Sequence, residues 1–172
     1  MTAVAPAYAP VRPAPSRASR PAAVVLAVLG LLVVYGVLTL LNDPKGTLGT
    51  DTGGKLATLG AMDRAGSFDP DVGYWAEELD PDGDLHPLYY TDRIGDRWIN
   101  VTTLPMIVAA RPLYAIGGER LVLLLPMAGA VLCALAARAL ARRIAGGDGW
   151  WAFWTVGLAS PVLVYALDFW EH

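Results

Sequence analysis

The sequence predicts an all-α membrane protein with three transmembrane helices and a long outer loop. Hydrophobic residues make up 55% of its 172 residues, although residues 43–97 form a polar stretch, and the mean hydropathy is still +0.42. The rest of the chain must therefore be strongly apolar. We predict one membrane domain over 21–172, preceded by a disordered cytoplasmic tail over 1–20 that is rich in Ala, Pro, Ser and Arg.

The first predicted transmembrane helix covers residues 21–41. This segment is uncharged over 21 residues, which at 1.5 Å per residue matches the roughly 30 Å hydrocarbon core of a bilayer. A cleaved signal peptide is the alternative, because Arg12, Arg17 and Arg20 precede the segment. The apolar run is too long for a signal peptide and no small-x-small cleavage pattern closes it, so we predict a retained helix.

Two further apolar segments complete the predicted bundle. Residues 121–140 form the second helix, and their only charge, Arg138, lies close enough to one end to snorkel. Residues 150–167 form the third helix, which opens with an aromatic cluster suited to the membrane interface. Residues 141–149 connect these two helices as a short cytoplasmic loop.

The placement of arginines predicts the orientation of the helices. One Arg cluster precedes the first helix, and another lies between the second and the third. The positive-inside rule places both in the cytoplasm, so the loop over 42–120 and the end over 168–172 lie outside. Residues 43–97 contain 12 Asp and Glu against 5 Lys and Arg. We predict a multi-pass protein of the plasma membrane, with the lipid bilayer as its partner, its acidic loop on the outer face and no nucleic-acid partner.

Two segments of the outer loop are predicted to lie in the membrane interface. Residues 56–65 are rich in Ala and Leu and form a short helix. Residues 98–116 are moderately apolar but contain Pro105, Arg111 and Pro112, which favours an interfacial or re-entrant helix. A full crossing is the alternative, and it would place the second Arg cluster outside.

Asp51 and Lys55 are the first candidate functional residues. Asp51 lies about ten residues beyond the first helix and just before the segment 56–65. If Thr50 or Asp51 caps that helix, the carboxylate lies beside backbone N–H groups that also attract phosphate. Lys55 would add a positive charge for an anionic group. An ordinary helix cap followed by a flexible turn explains the same pattern.

An acidic run and a histidine follow in the same loop. Residues 80–84 read Asp-Pro-Asp-Gly-Asp, but Leu85 and Thr91 stand where an EF-hand loop needs Gly and Glu. We therefore predict an acidic turn and not a calcium site. His86 opens an aromatic-rich run near the interface. It is a candidate substrate-binding residue, although a lone His at such a place is more often structural.

Asp168, Glu171 and His172 form a second group of candidates, at the mouth of the third helix. Ionisable groups are costly there if they are buried, so a role in binding a ligand, a metal or a proton is a reasonable hypothesis. Asp168 and Glu171 could hold a divalent cation. A solvated helix end is the alternative. Because the topology places these residues on the same face as Asp51, we predict one shared acidic site.

The order of these features resembles the start of the GT-C glycosyltransferases, polytopic membrane enzymes that use polyprenyl-phosphate-linked sugars. Protein mannosyltransferases and aminoarabinose transferases are members. The resemblance rests on Asp51 soon after one signal-anchor helix, on Gly-Gly-Glu-Arg-Leu at 117–121, and on Ser-Pro-Val-Leu-Val-Tyr-Ala-Leu-Asp at 160–168. The run that begins at His86 is similar to a His-Pro-Pro segment of many members, with one Pro here.

The resemblance implies sugar transfer from a polyprenyl-phosphate donor to an acceptor at the outer face, by the N-terminal part of a larger bundle. The composition, rich in Ala, Arg, Gly and Pro, suggests a bacterial protein. Asp51 and Asp168 would be catalytic. Four residues would bind substrate: Lys55, His86, Glu171 and His172. The chain departs from the family where Thr52 and Gly53 follow Asp51 in place of a second carboxylate. A non-catalytic envelope or assembly protein and a transporter subunit are the alternatives.

Overall fold

The computed structural model of the protein describes residues 21–41, 51–101 and 104–170. Within these ranges the chain is mostly helical, in agreement with the sequence. The helices are α1 Pro21–Leu41, α2 Asp51–Ala65, α3 Leu104–Val122, α4 Leu124–Ile144, α5 Trp150–Leu158 and α6 Val162–Ala166. A hairpin of two strands, which the sequence analysis missed, is formed by β1 Thr91–Ile94 and β2 Arg97–Asn100.

Two helices, α1 and α4, are by length and composition able to cross a membrane. α1 has the predicted bounds, because its uncharged run of Ala, Val and Leu contains no residue that would end a helix early. α4 begins at Leu124, later than the predicted start of the second span, and continues through the Arg residues to Ile144.

The predicted third span over 150–167 is not one continuous helix. α5 ends at Leu158 and α6 begins at Val162. Pro161 has no N–H for the helical ladder, and its ring clashes with the preceding turn. The Ser160 hydroxyl donates to the Val156 carbonyl over 2.6 Å and accepts the Val162 N–H over 3.2 Å. The Ser160 side chain therefore satisfies two backbone groups, the Val156 carbonyl and the Val162 N–H, at the break between the helices.

α1, α4, α5 and α6 share one hydrophobic core. Its buried side chains are Leu31, Tyr35, Met127, Ala130, Val131, Ala134, Phe153 and Ala166. Near the middle of both helices, Gly30 of α1 faces the Trp154 ring of α5. Further along, the Tyr35 hydroxyl donates to the Gly157 carbonyl over 2.8 Å. The two helices run in the same direction, so the start of α1 lies at the same end of the bundle as the α4–α5 connection.

A second hydrophobic core lies between α2 and α3. Its buried side chains are Leu59, Met62, Ile107, Ala110, Val122 and Phe169. We predicted that each of these helices places an apolar face in the membrane interface, and in the structure the two helices bury apolar side chains against each other. Val122 lies beside the start of α4, so this core is at the end of the bundle opposite to the α4–α5 connection.

The predicted helical segment over 98–116 is wrong at its start. Residues 97–100 form β2, which pairs antiparallel with β1. Gly95 and Asp96 join the strands, and Gly95 has a φ of 66°, the left-handed backbone that two-residue hairpin turns require. At the other end, the helical backbone of α3 is interrupted at Gly117 and Gly118, directly after the predicted end of the segment.

Gly157→Ala is expected to destabilise the bundle by about 1–3 kcal/mol through overpacking. The added Cβ would lie 2.9 Å from Leu31 Cδ2, and Leu31 is fully buried, so it has no free space to move into. Gly36→Ala is the matched control, because nothing lies within 4 Å of its added Cβ. Unfolding in a sodium dodecyl sulfate titration, followed by circular dichroism, measures both. Equal midpoints for the two variants would contradict this packing of α5 on α1.

Candidate functional site

The first turn of α2 meets the turn after α6 through charged and polar contacts. Lys55 Nζ donates to Asp51 Oδ2 over 2.6 Å and to the Phe169 carbonyl over 3.2 Å. Thr52 Oγ1 donates to Asp168 Oδ1 over 2.7 Å. We call these five residues the Lys55 cluster. The two candidate catalytic carboxylates, Asp51 and Asp168, therefore belong to one group of interacting residues.

Helical spacing accounts for the α2 side of the cluster. Asp51 and Lys55 are four residues apart and so lie on successive turns of one helix face. A carboxylate in the first turn of a helix also interacts favourably with the helix dipole. The spacing of Asp51 and Lys55 in the sequence is therefore sufficient to predict that their side chains contact each other.

Lys55 is fully buried, whereas the Asp51 side chain is 23% exposed. A buried ammonium is tolerated when it is paired and hydrogen-bonded, and Lys55 has a carboxylate, a carbonyl and the Phe169 ring, whose centroid is 5.8 Å away. We predicted that Lys55 binds an anionic group of the substrate. Its position favours a role in holding Asp51, because an incoming phosphate would have to displace these partners.

A glycine brings β2 against the same turn of α2. An added Cβ at Gly54 would overlap the Asn100 side chain, so this close approach requires glycine. Asn100 Nδ2 donates to the Tyr89 carbonyl over 2.7 Å and to Thr91 Oγ1 over 2.8 Å. The hairpin therefore supports the Lys55 cluster from one side, a contact that was not predicted from the sequence.

The predicted cation pair is only partly described. Asp168 accepts the Thr52 hydroxyl, whereas Glu171 and His172 lie outside the described residues. In the ranges that the structure describes, no group of three or more His, Cys, Asp or Glu could hold a metal ion.

His86 lies in an aromatic cluster of the loop between α2 and β1. Its ring stacks on Trp98 with the centroids 5.5 Å apart, and the Tyr74 centroid is 4.6 Å away. Nδ1 accepts the Leu88 N–H over 3.1 Å, and Nε2 lies 3.3 Å from the Gly73 carbonyl. A neutral ring protonated on Nε2 satisfies both contacts. These contacts favour the structural role that we weighed against substrate binding.

The acidic run at 80–84 is a turn, as predicted. Asp80 Oδ2 accepts the Leu85 N–H over 2.9 Å and the Tyr74 hydroxyl over 2.8 Å, and Oδ1 accepts the Asp84 N–H over 3.2 Å. The hydrogen bonds from Leu85 and then Tyr74 hold the pKa of Asp80 below its ordinary value, because they stabilise the charged carboxylate. Asp80 thereby connects the turn to the aromatic cluster of His86.

No protein-family model, curated protein or solved structure matches this chain. The resemblance to the GT-C glycosyltransferases therefore stays a prediction. Chemical roles are inferred from the Lys55 cluster itself, which joins a carboxylate at the start of α2 to a second carboxylate after α6.

Asp80 is expected to stabilise the folded loop above about pH 4 and to lose this effect at lower pH. Its pKa is lower in the folded chain than in the unfolded chain, so the unfolded state binds the proton first and stability falls with the pH. Urea unfolding monitored by tryptophan fluorescence at several acidic pH values measures the dependence. Asp80→Asn should weaken it, and Asp82→Asn, at an exposed position of the same turn, should not. Equal pH dependence in the two variants would assign the effect to another group.

Proposed function

We propose that this chain is the N-terminal part of an integral membrane glycosyltransferase that transfers a sugar from a polyprenyl-phosphate donor to an acceptor hydroxyl. In this proposal the Lys55 cluster faces the outer side of the plasma membrane. The observation that carries it is the meeting of Asp51 and Asp168 in one cluster, away from the α4–α5 connection. α1 and α4 are the candidate spans that would anchor this site in the membrane.

Asp51 is the general base in the proposed reaction. Its carboxylate takes the proton of the acceptor hydroxyl while the hydroxyl oxygen forms a bond to the anomeric carbon. The bond between the anomeric carbon and the phosphate oxygen breaks, and the polyprenyl phosphate leaves with the electron pair. A single displacement of this kind inverts the configuration at the anomeric carbon.

Lys55 is a positioning residue in this scheme. It binds Asp51 Oδ2 and the Phe169 carbonyl, and so fixes the carboxylate relative to the turn that contains Asp168. The 23% exposure of the Asp51 side chain supports access by an acceptor. The leaving phosphate needs a further positive charge, for which we propose a divalent cation bound by Asp168 and Glu171.

A non-catalytic assembly protein of the cell envelope is the second candidate. Large apolar side chains on the loop between α2 and β1 favour it, because Trp75 and Leu79 are each 87% exposed and Leu85 is 80% exposed. Several large exposed apolar side chains on one loop fit a contact with a partner or a membrane. In such a protein the Lys55 cluster would be a structural joint.

Asp51→Asn, made in the complete reading frame that encodes this chain, is expected to slow sugar transfer by about 100-fold or more. Asparagine has the shape of aspartate but cannot take the proton of the acceptor. Initial transfer rates from a panel of polyprenyl-phosphate sugars, measured in membrane vesicles, test this. Asp92→Asn is the matched control, because Asp92 is exposed on β1.

Asp51→Glu separates a loss of chemistry from a loss of folding. Glutamate keeps the negative charge beside Lys55 and moves the carboxylate by one methylene group. We expect this variant to reach the membrane in normal amounts and to transfer sugar more slowly than the wild type. Wild-type rates in both Asp51 variants would reject Asp51 as the base and favour the assembly protein.

A further inference from the structure

Arg138 of α4 is a buried cation at the end of the bundle opposite to the Lys55 cluster. The residue is only 6% exposed. Its guanidinium carbon lies 4.0 Å from the centroid of the Trp150 ring, at the start of α5. An added Cβ at Gly149 would lie 2.5 Å from the Arg138 carbonyl oxygen. The start of α5 therefore lies at the level of Arg138.

Two guanidinium nitrogens of Arg138, Nε and Nη2, are buried and have no hydrogen-bond partner in the part of the chain that the structure describes. Their N–H groups lie side by side along one edge of the guanidinium plane. This edge matches the two oxygens of a carboxylate or a phosphate. The Trp150 ring contacts the cation but provides no oxygen acceptor for these donors. Because unfilled donors on a buried charge are costly, the edge indicates an oxyanion ligand.

The charges around Arg138 favour a ligand with a net negative charge. Arg142 and Asp148 are the charged groups that act on it, and the exposed Arg143 follows on α4. Asp148 Oδ1 accepts the Trp150 N–H over 3.2 Å. Among the described residues around Arg138 there are thus three Arg against one Asp, whose carboxylate accepts the Trp150 N–H.

We propose that the Nε–Nη2 edge of Arg138 binds the phosphate of an anionic phospholipid in the leaflet at the α4–α5 connection. α4 is a candidate membrane span, and Trp150 is a residue type that is enriched at membrane interfaces. Both nitrogens are covered in the structure. Arg142 is half-buried and lies one turn further along α4, and in this proposal its flexible side chain moves to admit the headgroup.

A lipid phosphate explains the unfilled edge better than a carboxylate of the chain does. α1 begins at this end of the bundle, and the 20 residues before it contain no Asp or Glu. Anionic headgroups are present all along a membrane surface and attract clustered Arg side chains. The proposal does not depend on the proposed sugar transfer, because Arg138 and the Lys55 cluster lie at opposite ends of the bundle.

In neutral detergent, dioleoyl phosphatidylglycerol is expected to raise the unfolding temperature of the full chain more than dioleoyl phosphatidylcholine does. A ligand that binds only the folded chain stabilises it by mass action. Arg138→Lys keeps the charge but lacks the paired donors, so it should lose at least half of the shift. Arg143→Ala, the matched control at an exposed Arg, should keep the shift. Differential scanning fluorimetry measures all six combinations of the two lipids with the wild type and the two variants.

Arg138→Met tests the unfilled donors directly. Methionine fills much of the same space without a charge, so in lipid-free detergent we expect this variant to unfold at the wild-type temperature or above it. A fall in temperature larger than the loss of the Trp150 ring contact explains would mean that the Nε–Nη2 edge has a hydrogen-bond partner within the protein, and it would overturn the proposal. A full phosphatidylglycerol shift in Arg138→Lys would overturn it too. So would an equal shift from inorganic phosphate alone, which would identify a free anion as the ligand.

Discussion

The burial of the Lys55 ammonium is the constraint on which the arrangement of α2 against the bundle depends. A charge removed from water must find acceptors inside the protein, since breaking a buried pair costs about 3–5 kcal/mol. Lys55 finds one acceptor in Asp51, one turn earlier, and another in the Phe169 carbonyl, 114 residues later. The first contact is local to a helix. The second ties the start of α2 to the end of the bundle.

The contact between Lys55 and the Phe169 carbonyl affects both the stability of the fold and the position of the Asp51 carboxylate. Thr52 and Asp168 make a second contact between the same two turns, so the turns are held at two points. Phe169 also buries its ring in the core between α2 and α3. A change that separates the turns would therefore expose an apolar ring, leave Lys55 without its distant acceptor and move Asp51. The stability of the fold and the position of the candidate base Asp51 therefore depend on the same contacts between the first turn of α2 and the turn after α6.

Local patterns predicted the parts of the fold that local physics determines. An uncharged apolar run satisfies its backbone only as a helix in lipid, so α1 was predicted with its correct bounds. Hydropathy alone does not take account of Pro161, so α5 and α6 were predicted as one helix. The strand β2 was missed because only Trp98 and Ile99 are apolar, which gives no clear alternating pattern. The predicted topology placed Asp51 near the end of α6. The sequence did not predict the burial of Lys55, because its distant acceptor is a backbone carbonyl.

Among the described residues, the two buried cations, Lys55 and Arg138, have partners that match the geometry of their donors. The three donors of an ammonium can point in separate directions, so Lys55 is satisfied by a carboxylate and a carbonyl from different segments. A guanidinium presents fixed, coplanar donors, and its paired edge needs two acceptors in one plane. The described chain gives Arg138 an aromatic ring, which stabilises the charge and leaves that edge empty. A flexible cation therefore lies where the protein provides the oxygens, and a rigid one lies where oxygens must come from outside.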